Sequence, residues 1–306
     1  MTAPARSITT HEPGVRARLD LPQRVTQLAA ALVIGIVALI LTFITWRGIQ
    51  LFLQTGTPVW QILTATWQPD PTSQSPVNFG LLPFIVGTLE IFLLAAALAA
   101  PLSVSLALFM AEVAPDWARR VTQPAMEVFV GIPSVVYGFL GLSILVPFLR
   151  TELHFKFGFS MLAGALVVGL MILPTITSLA YDAFKTVPAE MRSASLALGT
   201  TRWQSIRHVV VPAAGSGVVT AIVMGMMRAA GEALAVQMVI GNRAVITFNP
   251  ADPMITLTSG ITMDMGNTVP TEPWNMALWT MGLVLLLMSL AFVLAVRRLS
   301  RQRSLA

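Results

Sequence analysis

The strongest pattern along the chain is a series of long apolar runs separated by polar segments. Six runs stand out, at about 27–46, 82–112, 122–149, 159–182, 211–241 and 274–296. Each reaches the ~20 residues that a helix needs to cross a bilayer. The runs are unbroken rather than alternating, so the pattern predicts helices and not a membrane barrel. The expected fold is an all-α integral membrane protein with six transmembrane helices. The first run has an apolar core too long for a signal peptide and no small-residue cleavage site after it, so it reads as a retained helix.

The polar segments divide the chain further. Residues 1–26 form a tail, 27–46 the first helix, 47–81 a long loop, 82–298 a permease-like helical core and 299–306 a basic tail. The 47–81 loop contains "WQPDPTSQSPVNFG", which reads as an extended or turning segment. The 242–273 loop contains "DPMITLTSGITMDMGNT", expected as a short helix near the membrane surface. Loops of this length are more often functional or disordered than plain connections.

Between the fourth and fifth runs, residues 186–212 carry helical punctuation. Thr186 can cap, Pro188 fits a first turn, and Gly199 follows Leu196 and Leu198 as a stop. Thr201 and Gln204 have the spacing of a capping box. Ile206 and Val210 share a side of the second helix, and Pro212 marks where the next run begins. The prediction is a helix–glycine–helix elbow. Its mixed apolar and basic positions suit either an interfacial helix lying on lipid or a docking surface for another protein.

Composition agrees with the pattern. Hydrophobic residues make up 55% of the chain and charged residues 11%, with a mean hydropathy of +0.76. Without cysteine there are no disulfides, thiolate metal sites or cysteine nucleophiles. His11, His154 and His208 make no metal-ligand spacing. The net charge of +5 comes without a basic stripe interleaved with aromatics, so lipid and not nucleic acid is the expected contact. With the N-terminus inside, the inner segments hold fourteen Lys and Arg, including Arg24, Arg119, Lys185, Arg192 and Arg297. The outer segments hold four: Arg47, Arg150, Lys156 and Arg243. By the positive-inside rule both termini and the elbow are expected on the cytoplasmic side.

Charge within the runs is costly and therefore informative, at roughly 2.5–3.5 kcal/mol per central residue on insertion scales. "VVTAIVMGMMRAAGEALAVQMVIG" carries Arg228 and Glu232, four apart, expected on one helix face where they can pair. Ala221, Gly225, Ala229 and Ala233 form a small-residue stripe beside them, which predicts close helix packing. The pair reads either as a functional site or as an ion pair that fixes the bundle. Ser134 and Tyr137 follow Pro133, a residue that frees backbone groups. They can offer hydroxyls to an oxyanion or bond to neighbouring helices. For Glu90 a structural pair and a transport role are equally open, and Glu127 fits an interfacial position. Met224, Met226 and Met227 read as adaptable packing. There is no G-x-x-x-x-G-K-[ST] phosphate loop, H-E-x-x-H or G-x-S-x-G, so no ATPase or hydrolase chemistry is expected of this chain.

The elbow "LALGTTRWQSIRHVVVPAA" resembles the loop by which ABC importer permeases contact their ATPases. The match runs through Ala194, Gly199, Val209, Val211 and Pro212; Ser193 stands where that signature has Glu. "FGLLPFIVGTL", "GIPSVVYGFLGL" and "MRAAGEALAVQMVIGN" are similar to the permeases of the Pst phosphate importer, the first and last of them PstC-like rather than PstA-like. The resemblance covers roughly residues 79–298. It implies one half of a heterodimer with a PstA-like permease, two PstB-like ATPases that carry the ATP and Mg, and a PstS-like phosphate receptor outside. It places the chain in a bacterial inner membrane with no cofactor of its own. It also implies that Ala194, Leu198, Gly199, Thr200, Arg202 and Trp203 contact the ATPase. Arg228, Glu232, Ser134, Tyr137 and Glu90 become candidates for the substrate pathway. Arg offers a permanently charged fork that matches phosphate oxygens, and Glu232 could hold it between substrates. The alternatives are a permease for sulfate or molybdate on the same architecture, or an ion-coupled carrier.

Overall fold

Helix α1 (Val15–Thr55) runs well past both ends of the expected 27–46 helix. It opens the computed structural model, which describes residues 15–64, 66–70 and 77–303. Most of the expected N-terminal tail and the last three residues of the C-terminal one lie outside the described residues. The chain up to Arg47 forms a unit of its own. There the side chains described are almost all exposed, Leu28, Leu32, Ile34 and Leu39 among them. A helix apolar on every face suits a lipid surround.

The second unit runs from Gly48 to the end of the chain. Within it, Gly48 packs closely on the last helix of the chain: an added Cβ would lie 2.6 Å from Leu283 Cβ, and the Gly48 carbonyl accepts a 2.9 Å bond from Thr280 Oγ1. The 47–81 segment is more structured than expected. After α1 ends, a 3-10 turn (Val59–Leu63) leads to an antiparallel pair, β1 (Trp67–Gln68) and β2 (Asn78–Phe79). The all-α expectation is corrected to this extent. Trp67 secures the pair by edge contacts to Phe79 and Phe84, with centroids 6.2 and 5.1 Å apart.

Helix α2 (Leu82–Leu108) continues into a π turn (Phe109–Val113). The expected 122–149 span is broken. Helix α3 (Asp116–Gly131) buries none of its residues and stops before Pro133, where α4 (Ser134–Leu140) begins. A π turn (Gly141–Leu145) joins α4 to α5 (Val146–Thr151). The physical cause is Pro133, which supplies no N–H and disfavours helical backbone at Ile132.

Helix α6 (Met161–Lys185) is the most buried. It runs parallel to α2, with Gly164 against Ile91, Gly169 against Ala95 and Ala99, and Ser103 Oγ donating to the Leu173 carbonyl at 3.1 Å. Tight small-residue contacts of this kind let two backbones approach without a hydrophobic drive from water.

The elbow follows. Thr186 caps the end of α6 rather than the start of the next helix, its hydroxyl donating to Ala183 O; Pro188 starts α7 (Ala189–Ala197) instead. Gly199 sits at φ +82°, a left-handed conformation that costs little only for glycine. Helix α8 (Arg202–Ser205) opens with both bonds of the Thr201–Gln204 capping box. A π turn (Ile206–Val210) leads into α9 (Val211–Ala213), and the chain bends by 65° into α10 (Gly215–Ala230).

The expected 211–241 span is therefore not one helix. It bends at Ala214 and stops at Ala230, followed by the short α11 (Leu234–Gln237). The 242–273 segment contains the expected short helix, α12 (Leu257–Asp264), which buries Leu257, Thr258, Ser259 and Gly260. Helix α13 (Pro273–Arg303) closes the chain. Among the described residues, five helices are long and apolar enough to cross a membrane, or six if the bent pair is one span.

Candidate functional site

The break in the fifth span builds the site. Arg228 lies in the last turn of α10, half-buried, and its Nη1 donates to Thr175 Oγ1 of α6 at 3.0 Å. Ala221, Gly225 and Ala229 on the same helix are buried, and a Cβ on Gly225 would lie 2.3 Å from Ile176 Cγ1. The small-residue stripe thus seats α10 directly on α6, and that seating carries Arg228 to Thr175. Ala233 lies beyond the helix and does not extend the stripe.

Arg228 and Glu232 do not pair. The expectation assumed a continuous helix, but Gly231 takes φ −89°, ψ −3° and the helix ends there. Glycine costs ~1 kcal/mol in a helix interior, so a break is favoured at it. Glu232 leaves the helical register, and the ion pairs found among the described residues are Arg119–Asp116 and Arg192–Glu112. The freed backbone is satisfied elsewhere: the Glu232 carbonyl accepts from Thr258 Oγ1 at 2.9 Å, and its N–H donates to Ala229 O at 3.2 Å. Helix α12 thereby holds the break in shape, as backbone inside a membrane protein requires.

Tyr137 is buried and within electrostatic reach of Arg228. Its hydroxyl donates to the Phe129 carbonyl at 2.9 Å, across the Pro133 break. That carbonyl is one of those left without a partner at the end of α3. Ser134 is half-buried at the first position of α4. Glu90, on α2, has both carboxyl oxygens shielded from solvent and no hydrogen-bond partner among the described residues. The structure brings Arg228 towards Tyr137 and joins neither Glu90 nor Glu232 to it.

Sequence reading missed Thr175 and the line it heads. Thr175, Ser178, Asp182 and Lys185 recur at spacings of three, four and three along α6, all exposed or half-buried on a helix otherwise heavily buried. Beside this line a cavity of about 390 Å³ opens between α6 and α3, lined by Gln123, Glu127, Thr177, Ser178, Tyr181 and Asp182. The signal was present in "PTITSLAYDAFK", a polar period inside an apolar run.

At the elbow, Leu198 is 85% exposed and Trp203 63%. Ala194 and Arg202 are exposed too, while Thr200 turns inward and donates to Ser195 O at 2.8 Å. Ser193, in place of the acidic residue, is exposed. Exposed apolar side chains beside a glycine hinge suit either a protein contact or a lipid surface.

The comparisons with known proteins follow the same lines. The family described as binding-protein-dependent transport system inner membrane component matches residues 103–304. The chain is 49% identical over 280 residues to the probable ABC transporter permease protein YqgH of Bacillus subtilis, covering 91% of this chain and 89% of that one. It is 31% identical to the phosphate transport system permease protein PstC of Xylella fastidiosa, covering 90% of each. PstC of Mesorhizobium japonicum is 32% identical, with 85% and 86% covered. Among solved structures, a bacterial ABC transporter importing the acidic polysaccharide alginate aligns with TM-score 0.63 at 16% identity, covering 94% of this chain and 99% of that one. An inward-facing MetNI methionine ABC transporter aligns at 0.58 and 19%, covering 73% and 95%. These two likenesses establish the fold. The chain belongs to the binding-protein-dependent transport system inner membrane components: it is a multi-pass permease subunit of a type I ABC importer, whose ATPase and binding protein are separate chains.

Proposed function

We propose that this permease is the PstC-like half of an ATP-driven importer of inorganic phosphate. In this reading six spans cross the inner membrane, with both termini and the elbow cytoplasmic. A PstA-like subunit completes the pathway, two PstB-like ATPases dock on the elbows, and a PstS-like receptor delivers phosphate from outside. ATP and Mg belong to the ATPases.

The observation that carries the reading is the state of Arg228. Its guanidinium is half-buried in an apolar span and bonded to a neutral hydroxyl, without a carboxylate in ion-pair range among the described residues. A cation so placed is poorly compensated and attracts an anion, and its planar fork matches phosphate oxygens. Thr175 adds a hydroxyl at the guanidinium, and Tyr137, within electrostatic reach of Arg228, holds the Pro133 break. The names of the PstC relatives favour phosphate among oxyanions. Glu232 is not the competing ligand in this arrangement, and neither it nor Glu90 is assigned a contact with the anion.

The test is uptake of radiolabelled phosphate by the complex in proteoliposomes. Arg228→Gln should lower it roughly 10- to 100-fold, the equivalent of ~1.5–3 kcal/mol for a lost charged hydrogen bond. Complex assembly and basal ATP hydrolysis should remain. Near-normal uptake would reject the role of Arg228. Stimulation of wild-type ATPase by a sulfate- or molybdate-loaded receptor, and not by a phosphate-loaded one, would reassign the substrate.

A further inference from the structure

The elbow is tied to the helical core through one side chain. Arg192, on α7, places Nη2 2.8 Å and Nε 3.2 Å from Glu112 Oε1, in the π turn that ends α2. The same guanidinium donates from Nη2 to Phe184 O at 2.9 Å and from Nη1 to Val187 O, at the end of α6. Both partners are largely shielded, with side-chain exposures of 26% for Arg192 and 12% for Glu112. One arginine thus holds the ends of the two parallel helices that pack most closely in the fold.

Physical chemistry explains why a cation sits there. Two parallel helices that end together bring about half a negative charge each, and Glu112 adds a full one. Arg192 lies against all three. Arg119 covers the neighbouring carbonyls, with Nε 2.8 Å from Met110 O. The π turn matters as well. It adds one residue to the last turn, which rotates Glu112 by about 100° from its α-helical bearing. Such turns are frequent at functional positions.

We propose that the Arg192–Glu112 bridge is a mechanical latch that makes α7 and the inner ends of α2 and α6 move as one body, so that displacement of the elbow by the ATPase is delivered to the core. Arg192 is a positioning residue that touches neither substrate nor nucleotide. The inference rests on the elbow being the surface that meets the ATPase.

The chain has no cysteine, so a single reactive pair can be introduced cleanly. In the intact complex in proteoliposomes, Arg192→Gln and Glu112→Gln should each assemble with the ATPase and keep near wild-type basal ATP hydrolysis, measured without the binding protein. Phosphate taken up per ATP hydrolysed should fall at least about fivefold. The charge-swapped double variant (R192E with E112R) should recover part of that ratio. In E112C with R192C, a short thiol-reactive bridge should restore the ratio lost before bridging. An unchanged ratio in Arg192→Gln, or a bridged complex that assembles but does not regain transport, overturns the latch. Loss of ATPase binding in proportion to loss of uptake also overturns it, since the role is then only structural. If the wild-type complex takes up no phosphate, the substrate assignment fails instead. The latch is then read from ATP turnover stimulated by the binding protein, which the bridge should bring back to the wild-type level.

Discussion

At the scale of single residues, three side chains have separable jobs. Thr175→Val keeps the shape of Thr175 but leaves Arg228 Nη1 without its acceptor, a cost of ~0.5–1.5 kcal/mol for a hydrogen bond at a half-buried group. Its expected effect on phosphate uptake is clear yet smaller than that of Arg228→Gln, since the charge remains; uptake kinetics on the two variants check the order. Tyr137→Phe removes the bond to Phe129 O and should cost ~0.5–1.5 kcal/mol, read as a lower Tm of the purified complex. Asp264 gives a pH signature. Burial pushes its carboxyl above its ordinary value of 3.8. A group that holds its proton longer in the folded state makes stability fall as pH rises through 3.8 and up to the raised value. Asp264→Asn should therefore melt higher than wild type at neutral pH, with the gap closing as pH falls towards 3.8. Melting curves across that range decide it.

At the scale of elements, local chemistry was legible and long-range satisfaction was not. The elbow could be read because caps and stops are written within a few residues: Gly199, Pro188, Thr201 with Gln204. The end of α10 was missed because apolar periodicity continues smoothly across Gly231, and only dihedral angles show the stop. The loss of the Arg228–Glu232 pair followed from that miss. The partner Arg228 takes instead is 53 positions away in sequence, beyond any spacing rule. The insertion of α12 depended on bonds to Thr88 and to the Glu232 carbonyl, equally distant. Packing at this scale makes a paired prediction. Gly225→Val would drive a side chain into Ile176 and should destabilise the complex by ~1–3 kcal/mol or more. Gly215→Ala meets nothing within 4 Å and should be neutral or mildly stabilising. Thermal melts of the two variants side by side make the contrast.

At the scale of the whole molecule, the membrane character was plain from the runs, because bilayer thickness imposes length on sequence. The broken third and fifth runs were not, because a proline or glycine alters direction without altering hydropathy. Orientation has its own test. In this cysteine-free chain, Leu198→Cys should react with a membrane-impermeant maleimide in inside-out vesicles and not in right-side-out ones. Bound ATPase should block the reaction. Labelling from the opposite side would invert the assigned topology.

The 65° bend at Ala214 gives α10 the geometry of a lever. Its sixteen residues span about 24 Å, with the elbow at one end and Arg228 at the other. A pivot of ~10° at the bend carries the far end through roughly 4 Å over such an arm. That travel exceeds the 3.0 Å reach that joins Arg228 to Thr175. A small tilt under the elbow thus becomes, at the other end of the rod, the difference between an arginine that is tethered and one that is free.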